Sequence, residues 1–147
     1  MTMLECVSPI DGSVFARRPI LGKEEAESAV SKARKAQLSW ASRSLKERVD
    51  LVMAGVAAVG ASNDEIVREL AHMMGRPVRY GGEFGGFSER ASHMADIAAT
   101  SLADIQVGED ATFKRLIKRV PHGVVLVVAP WNYPYMTAIN TVAPALI

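Results

Sequence analysis

Residues 120–134 read Val120-Pro-His-Gly-Val-Val-Leu-Val-Val-Ala-Pro-Trp-Asn-Tyr-Pro134, and this stretch decides the fold. Residues 124–128 are four valines and one leucine, apolar on both faces and mostly β-branched. Such a run, bounded by Gly123 and Pro130, predicts a strand buried on both sides, as at the centre of a parallel sheet. Because proline cannot donate to a sheet ladder, the strand is expected to end at Pro130.

Three side chains with polar tips follow the predicted strand, and ligands bind beyond the carboxyl ends of strands in open α/β sheets. They are Trp131, Asn132 and Tyr133, before Pro134, which suits the first turn of a helix. The Asn132 carboxamide could donate to a carbonyl oxygen that becomes negative during a reaction, and free amides at the helix start would assist it. Asparagine is also a good helix cap, so the residues alone leave both roles open.

The composition excludes several classes of protein. A chain of 147 residues fits one domain or part of one. Its 17 Lys+Arg against 16 Asp+Glu give a net charge of +1, which offers no general attraction to nucleic acid or anionic membranes. The N-terminus lacks a secretory signal, and no apolar run approaches the ~20 residues that span a bilayer. The single Cys6 fits a reducing compartment, so a cytoplasmic protein is expected.

Strands are expected on both sides of the central helical region. Residues 1–22 predict a hairpin around the turn Asp11-Gly12. Residues 109–121 predict a solvated edge strand, because lysine and arginine flank its apolar pair and no interleaved aromatics suggest nucleic-acid binding. Residues 122–147 predict the buried strand and one helix.

Residues 23–108 are expected to be helical. Capping boxes stand at Ser44–Glu47 and Ser62–Glu65, and Gly75 is a helix stop. The inward stripes are Ala26, Ala29, Val30 and Ala33 in the first helix, Leu45, Val49, Val52, Val56 and Val59 in the second, Ile66, Val67, Leu70, Ala71 and Met74 in the third, and Phe84, Phe87, Ala91, Met94, Ile97 and Leu102 in the fourth.

The glycine run Gly81–Gly86 invites a phosphate-loop interpretation. It has no preceding buried strand and no Gly-Lys-Ser/Thr ending, so a helix entry where backbones approach closely is the stronger interpretation. The three histidines show neither paired spacing nor cysteine partners, so no metal site is expected.

The stretch Pro121–Pro134, followed by Pro144-Ala-Leu146, resembles the aldehyde dehydrogenase superfamily. The similarity lies in a Pro-x-Gly-Val strand entry, a Pro-Trp-Asn-Tyr-Pro corner and a Pro-Ala-Leu helix segment. Weaker upstream similarities occur in the family's order, at Pro9–Phe15, Ala29–Trp40 and Met74–Pro77. The resemblance implies an α/β fold: the N-terminal part of a Rossmann-type domain, mostly helical, with a hairpin, an edge strand and the first buried parallel strand.

The resemblance also implies oxidation of an aldehyde to a carboxylate with NAD or NADP. Asn132 would donate to the oxygen of the thiohemiacetal that forms when a catalytic cysteine attacks the aldehyde. The cofactor site would be lined by Ala129, Pro130, Trp131 and Asn132. The substrate tunnel would be lined by Tyr133, Met136, Thr137 and Asn140. The strand within 109–121 would belong to a bridging element used in homo-oligomers, dimers or tetramers.

In enzymes of that family the nucleophile, the general base and a later glycine motif would fall beyond Ile147. One strand and one helix cannot complete a parallel sheet, so we expect an N-terminal portion of a longer protein. Cys6 has no neighbouring helix start, histidine or basic cluster to make it a nucleophile. The alternative is a non-catalytic, truncated remnant that acts as an interaction module.

Overall fold

The computed structural model describes residues 2–147. The chain forms a hairpin, four helices, a second hairpin, an extended segment and a last helix, in that order. The elements are β1 Met3–Val7, β2 Val14–Pro19, α1 Lys23–Ala41, α2 Leu45–Ala61, α3 Asn63–Met74, a 3₁₀ turn Val78–Tyr80, α4 Phe84–Ser101, β3 Ile105–Glu109, β4 Lys114–Ile117 and α5 Pro134–Leu146. None of the helices in 2–147 is both long and apolar enough to cross a membrane.

The core lies between α2, α4 and α5. Ala91 of α4 and Ala143 of α5 are fully buried, and side chains this small let the two helices pack closely. The predicted inward faces are confirmed at the centres of α2 and α4. The buried core residues are Val52, Val56, Phe87, Ala91, Ala98, Ile139, Ala143 and Ile147.

The predicted face of α4 is wrong at its C-terminal end. Ile97 and Leu102 are 40% and 42% exposed, and Ala98 is buried instead. At this end of α4 the small Ala98 joins the core cluster in place of the two larger side chains.

The predicted N-terminal hairpin is confirmed. β1 and β2 pair antiparallel, and Gly12 turns the chain at φ 73°, a conformation that a side chain disfavours. The hairpin packs on α3 through the buried Ser8, whose Oγ lies 3.5 Å from His72 Nδ1. The His72 ring also stacks on Phe15, so the hairpin is fixed to the helical part.

One of the two predicted capping boxes forms. Ser44 Oγ accepts from the Glu47 amide, and the Glu47 carboxylate accepts from the Ser44 amide and hydroxyl, which lowers the pKa of Glu47. The box predicted at Ser62 is wrong. Ser62 also ends α2, and its ψ of 9° is not the extended conformation from which a serine caps the next helix.

The predicted inward stripe of α1 is wrong. The helix buries none of its residues, and Val30 is 43% exposed, because nothing in residues 2–147 covers that face. Trp40 makes the long-range contact of this helix, since its Nε1 donates to the Leu146 carbonyl at 2.8 Å. The last turn of α1 thereby contacts the end of α5.

The predicted buried strand at 124–128 is also wrong in this structure. The segment is extended but has no ladder, and Leu126 and Val128 are 86% and 85% exposed. The physical reason is that no other strand of residues 2–147 lies beside it, so its backbone groups have no ladder partners.

The edge strand predicted at 109–121 is one arm of a hairpin. β3 and β4 pair antiparallel around a turn in which the Asp110 carboxylate accepts from the Thr112 and Phe113 amides, each at 2.8 Å. The Arg115 guanidinium and these amides lower the pKa of Asp110. The aspartate turn was the local signal for the missed strand β3.

Two glycines of α2 should respond oppositely to alanine. A Cβ on Gly60 would overlap the Phe84 ring, whereas a Cβ on Gly55 would meet no atom within 4 Å. We expect Gly60→Ala to lower the free energy of unfolding by about 1–3 kcal/mol through overpacking. Gly55→Ala should raise it by roughly 0.5–1 kcal/mol through helix propensity. Urea unfolding checks both, and equal shifts would contradict the packing described.

Candidate functional site

The predicted corner lies at the surface, between the extended segment and α5. Asn132 is exposed, and its neighbours Trp131 and Tyr133 are 75% and 46% exposed. Helix α5 begins at Pro134 with Tyr133 as its N-cap residue, and the Tyr133 side chain makes no capping hydrogen bond. The start of α5 is therefore stabilised by residues from elsewhere in the chain.

Glu83 provides that stabilisation. Its side chain is 2% exposed, and Oε2 accepts from the Met136 amide at 2.7 Å. Met136 is the third residue of α5, the position whose amide an N-cap side chain usually satisfies. The capping role left open for Asn132 is therefore wrong, because the amide is bound to a carboxylate from the start of α4.

Arg76 connects this carboxylate to the corner. Its Nη1 donates to Glu83 Oε1 at 2.8 Å, and its Nη2 donates to the Asn132 backbone carbonyl at 2.6 Å. The guanidinium carbon lies 4.4 Å from the centre of the Tyr133 ring. Gly75 places Arg76 there, because its left-handed conformation (φ 79°) ends α3 immediately before the arginine.

One of the free amides expected at the start of α5 is occupied by another part of the protein. Pro134 has no N–H, the Met136 amide donates to Glu83, and the Thr137 amide donates to the Tyr133 carbonyl at 3.0 Å. The expectation is wrong at Met136, because a buried carboxylate of the protein already binds that amide at the positive end of the helix dipole. An incoming anion at this amide would be repelled by the Glu83 carboxylate.

The predicted tunnel residues lie along one side of α5. Tyr133 and Asn140 are exposed, and Met136 and Thr137 are half-buried. In residues 2–147 they form an open wall, with no enclosing tunnel. Burial raises the pKa of the adjacent Tyr135 hydroxyl, and the Glu69 and Glu83 carboxylates raise it further, so this phenol stays neutral at physiological pH.

A groove of about 550 Å³ lies elsewhere, at the C-terminal end of α5. Trp40, Leu102 and residues 119–123 line it, and none of the predicted site residues does. Within residues 2–147 no three His, Cys, Asp or Glu side chains are grouped closely enough to hold a metal ion. Cys6 is in the N-terminal hairpin, where its Sγ lies 3.9 Å from the Met73 carbonyl oxygen.

A model of the aldehyde dehydrogenase family matches residues 1–147. The chain belongs to this family. It is 30% identical over 140 residues to 3-sulfolactaldehyde dehydrogenase of Pseudomonas putida, covering 95% of this chain and 29% of that protein. It is 31% identical over 143 residues to betaine aldehyde dehydrogenase 2 of Rhizobium meliloti, with the same two coverages.

Solved structures of family members share the fold. NADP-dependent glyceraldehyde-3-phosphate dehydrogenase from Bacillus halodurans, complexed with NADP, superposes with a TM-score of 0.86 at 30% identity, over 99% of this chain and 32% of that one. Indole-3-acetaldehyde dehydrogenase from P. syringae, in complex with NAD⁺, gives 0.88 at 26% identity, over 98% and 30%. The predicted α/β class, as part of a Rossmann-type domain, is confirmed.

The chain spans less than a third of the length of these relatives. The match therefore identifies the family and the fold of this region. The roles of Asn132 and of the residues predicted to line the cofactor and tunnel sites stay predictions.

Sequence reasoning missed the two charged residues behind the corner. Arg76 entered only as part of a turn resembling Gly-Lys-Pro, and Glu83 only as the acidic residue within Gly81–Gly86. The available signal in the sequence was a single acidic residue within a run of glycines. Glycines let neighbouring parts of the chain pack closely, and an acidic side chain in such a place can be buried if it has hydrogen-bond donors. The predicted helix entry is confirmed, since α4 begins at Phe84, but the close approach is to side chains and not to backbone: a Cβ on Gly82 would lie 2.6 Å from Asn63 Oδ1.

Gly86 should control where Met136 lies. A Cβ on Gly86 would come within 2.6 Å of Met136 Sδ, whereas a Cβ on the adjacent Gly85 would meet no atom within 4 Å. Because the methionine side chain is flexible, we expect Gly86→Ala to move Met136 towards the predicted tunnel and to raise KM for bulky aldehydes more than kcat falls. Gly85→Ala is the matched control, and equal KM values in both variants would contradict the contact.

Proposed function

We propose that the protein containing this chain is an NAD(P)-dependent aldehyde dehydrogenase that oxidises an aldehyde to a carboxylate. The main support is the exposed carboxamide of Asn132, just before the start of α5. Arg76 fixes this residue, because its Nη2 donates to the Asn132 main-chain carbonyl at 2.6 Å. A donor held in advance stabilises a developing oxyanion without reorganising during the reaction. Family membership supports the reaction class.

Asn132 is proposed to act on the substrate oxygen. When a cysteine sulfur bonds to the aldehyde carbon, the carbonyl π electrons move to oxygen, and the Asn132 NH₂ donates a hydrogen bond to that oxyanion. Loss of a hydride from the thiohemiacetal carbon, which bound NAD(P)⁺ would accept, would leave a thioester, and water would then release the acid and restore the thiol. The nucleophile in this proposal lies outside the chain, since Cys6 belongs to β1 in the N-terminal hairpin.

The proposed cofactor surface is the extended segment Ala129–Asn132. Within residues 2–147, no main-chain partner bonds to the backbone groups of residues 129–131, and the indole of Trp131 is largely exposed. Free backbone groups beside an exposed flat ring fit a ribose and a nicotinamide. When bound, NAD(P)⁺ would accept the hydride from the substrate carbon. Its pyrophosphate needs another site, because Glu83 occupies the start of α5.

Asn132→Ala tests this proposal in the complete protein. Loss of one oxyanion donor should lower the rate of acylation by about 10²–10³ while cofactor affinity stays nearly unchanged. The burst of NAD(P)H formation measures acylation, and cofactor titration measures affinity. Asn140→Ala, an exposed asparagine of the same helix, is the matched control and should change KM rather than the burst rate. An unchanged burst rate in Asn132→Ala would refute the assigned role.

We also propose that the β3–β4 hairpin is a subunit contact of a homo-oligomer. Its large apolar side chains are 42–61% exposed in this chain, namely Ile105, Val107, Phe113, Leu116 and Ile117. An exposed ribbon with free edges and apolar side chains is suited to pairing with another copy.

A positive charge introduced into this apolar surface should change the assembly. Val107→Lys should shift the complete protein towards monomer in light-scattering measurements of molar mass, because a buried lysine at the contact would lack a partner. Leu38→Lys, at a side chain of α1 that is 73% exposed, is the control and should leave the mass unchanged. An unchanged oligomer in Val107→Lys would exclude this hairpin as the contact.

A further inference from the structure

The segment that follows α3, the start of α4 and the start of α5 meet at the buried carboxylate of Glu83. One oxygen is bound by Arg76 at 2.8 Å and the other by the Met136 amide at 2.7 Å. The two charged side chains are 2% and 12% exposed, so water hardly competes with these contacts. Both oxygens of the buried carboxylate therefore have a donor, which is the condition under which such a pair is tolerated.

Arg76 has contacts beyond the ion pair, and they fall on the predicted site. Its second terminal nitrogen donates to the Asn132 carbonyl, and its guanidinium carbon lies over the Tyr133 ring. The rigid guanidinium fork thus links Glu83 to two consecutive residues of the corner. A side chain needed only to neutralise Glu83 would not require these two contacts.

We propose that Arg76 and Glu83 are positioning residues that set the direction of the Asn132 carboxamide. Arg76 holds the residue by its carbonyl, and Glu83 holds the third amide of the helix that begins two residues later. This inference rests on the proposed function, in which that carboxamide stabilises the oxyanion. A misplacement of about 1 Å is enough to reduce such catalysis by 10².

Kinetics of the complete protein test the inference first. In Arg76→Lys the charge remains but the fork and the stacking are lost, and in Glu83→Gln the charge is lost at constant shape. We expect each to slow the NAD(P)H burst by on the order of 10² while cofactor affinity stays unchanged. The matched controls are Arg79→Lys and Glu89→Gln, both at exposed positions nearby, and they should keep the wild-type burst rate.

A double-mutant cycle separates positioning from a role that bypasses Asn132. In an Asn132→Ala background there is no carboxamide for Arg76 to position, so Arg76→Lys should lower the burst rate only slightly further. If the two losses multiply as independent effects, the inference is overturned. If only the melting temperature falls and the burst rate stays at the wild-type value, the pair is merely structural and the inference is also overturned.

Amide hydrogen exchange tests the geometry without reference to activity. In Arg76→Lys and Glu83→Gln, the amides of residues 132–137 should exchange about tenfold faster or more, while those of α2 keep their protection. Unchanged exchange at 132–137 would overturn the inference. If the wild-type protein oxidises no aldehyde, the proposed function fails, whereas the exchange result still decides whether the two residues hold the corner.

Discussion

The ion pair between Glu83 and Arg76 is the interaction on which the arrangement of the corner depends. A carboxylate that is 2% exposed is tolerated only where charged or dipolar donors replace water. Here the donors are a guanidinium and the start of α5. The positive end of that helix therefore stabilises a charge of the protein itself, and the surface beyond it remains available for neutral groups such as a carbonyl.

Features that depend on a few neighbouring residues could be predicted from the sequence. Such features need only contacts within one turn or one helix face. They are the first capping box, the helix stop at Gly75, the hairpin turn and the centres of the α2 and α4 stripes. Features that depend on a partner element could not. The segment 124–128 has strand composition but no neighbouring strand, and the stripe of α1 has no covering surface in residues 2–147.

The candidate site also has a part that could be predicted from the sequence and a part that could not. Asn132 could be proposed from the sequence because its motif is continuous in the chain and follows a run with strand composition. Arg76 and Glu83 lie 56 and 53 residues from their contacts at Asn132 and Met136, and no periodicity encodes such pairs. A three-dimensional arrangement was required to show that the amide donor expected from the sequence has a charged support behind it.

Three closely packed glycines limit which residues can change among homologous sequences. Gly60, Gly82 and Gly86 have ordinary backbone angles, yet a methyl group at each would overlap Phe84, Asn63 or Met136. Their small size is needed for space, not for a special turn. Apolar residues between helices can in general be exchanged when the total volume is kept. A larger residue at Gly60 or Gly82 requires the opposing side chain to shrink, and one at Gly86 requires Met136 to move or shrink, so each pair should vary together among homologues.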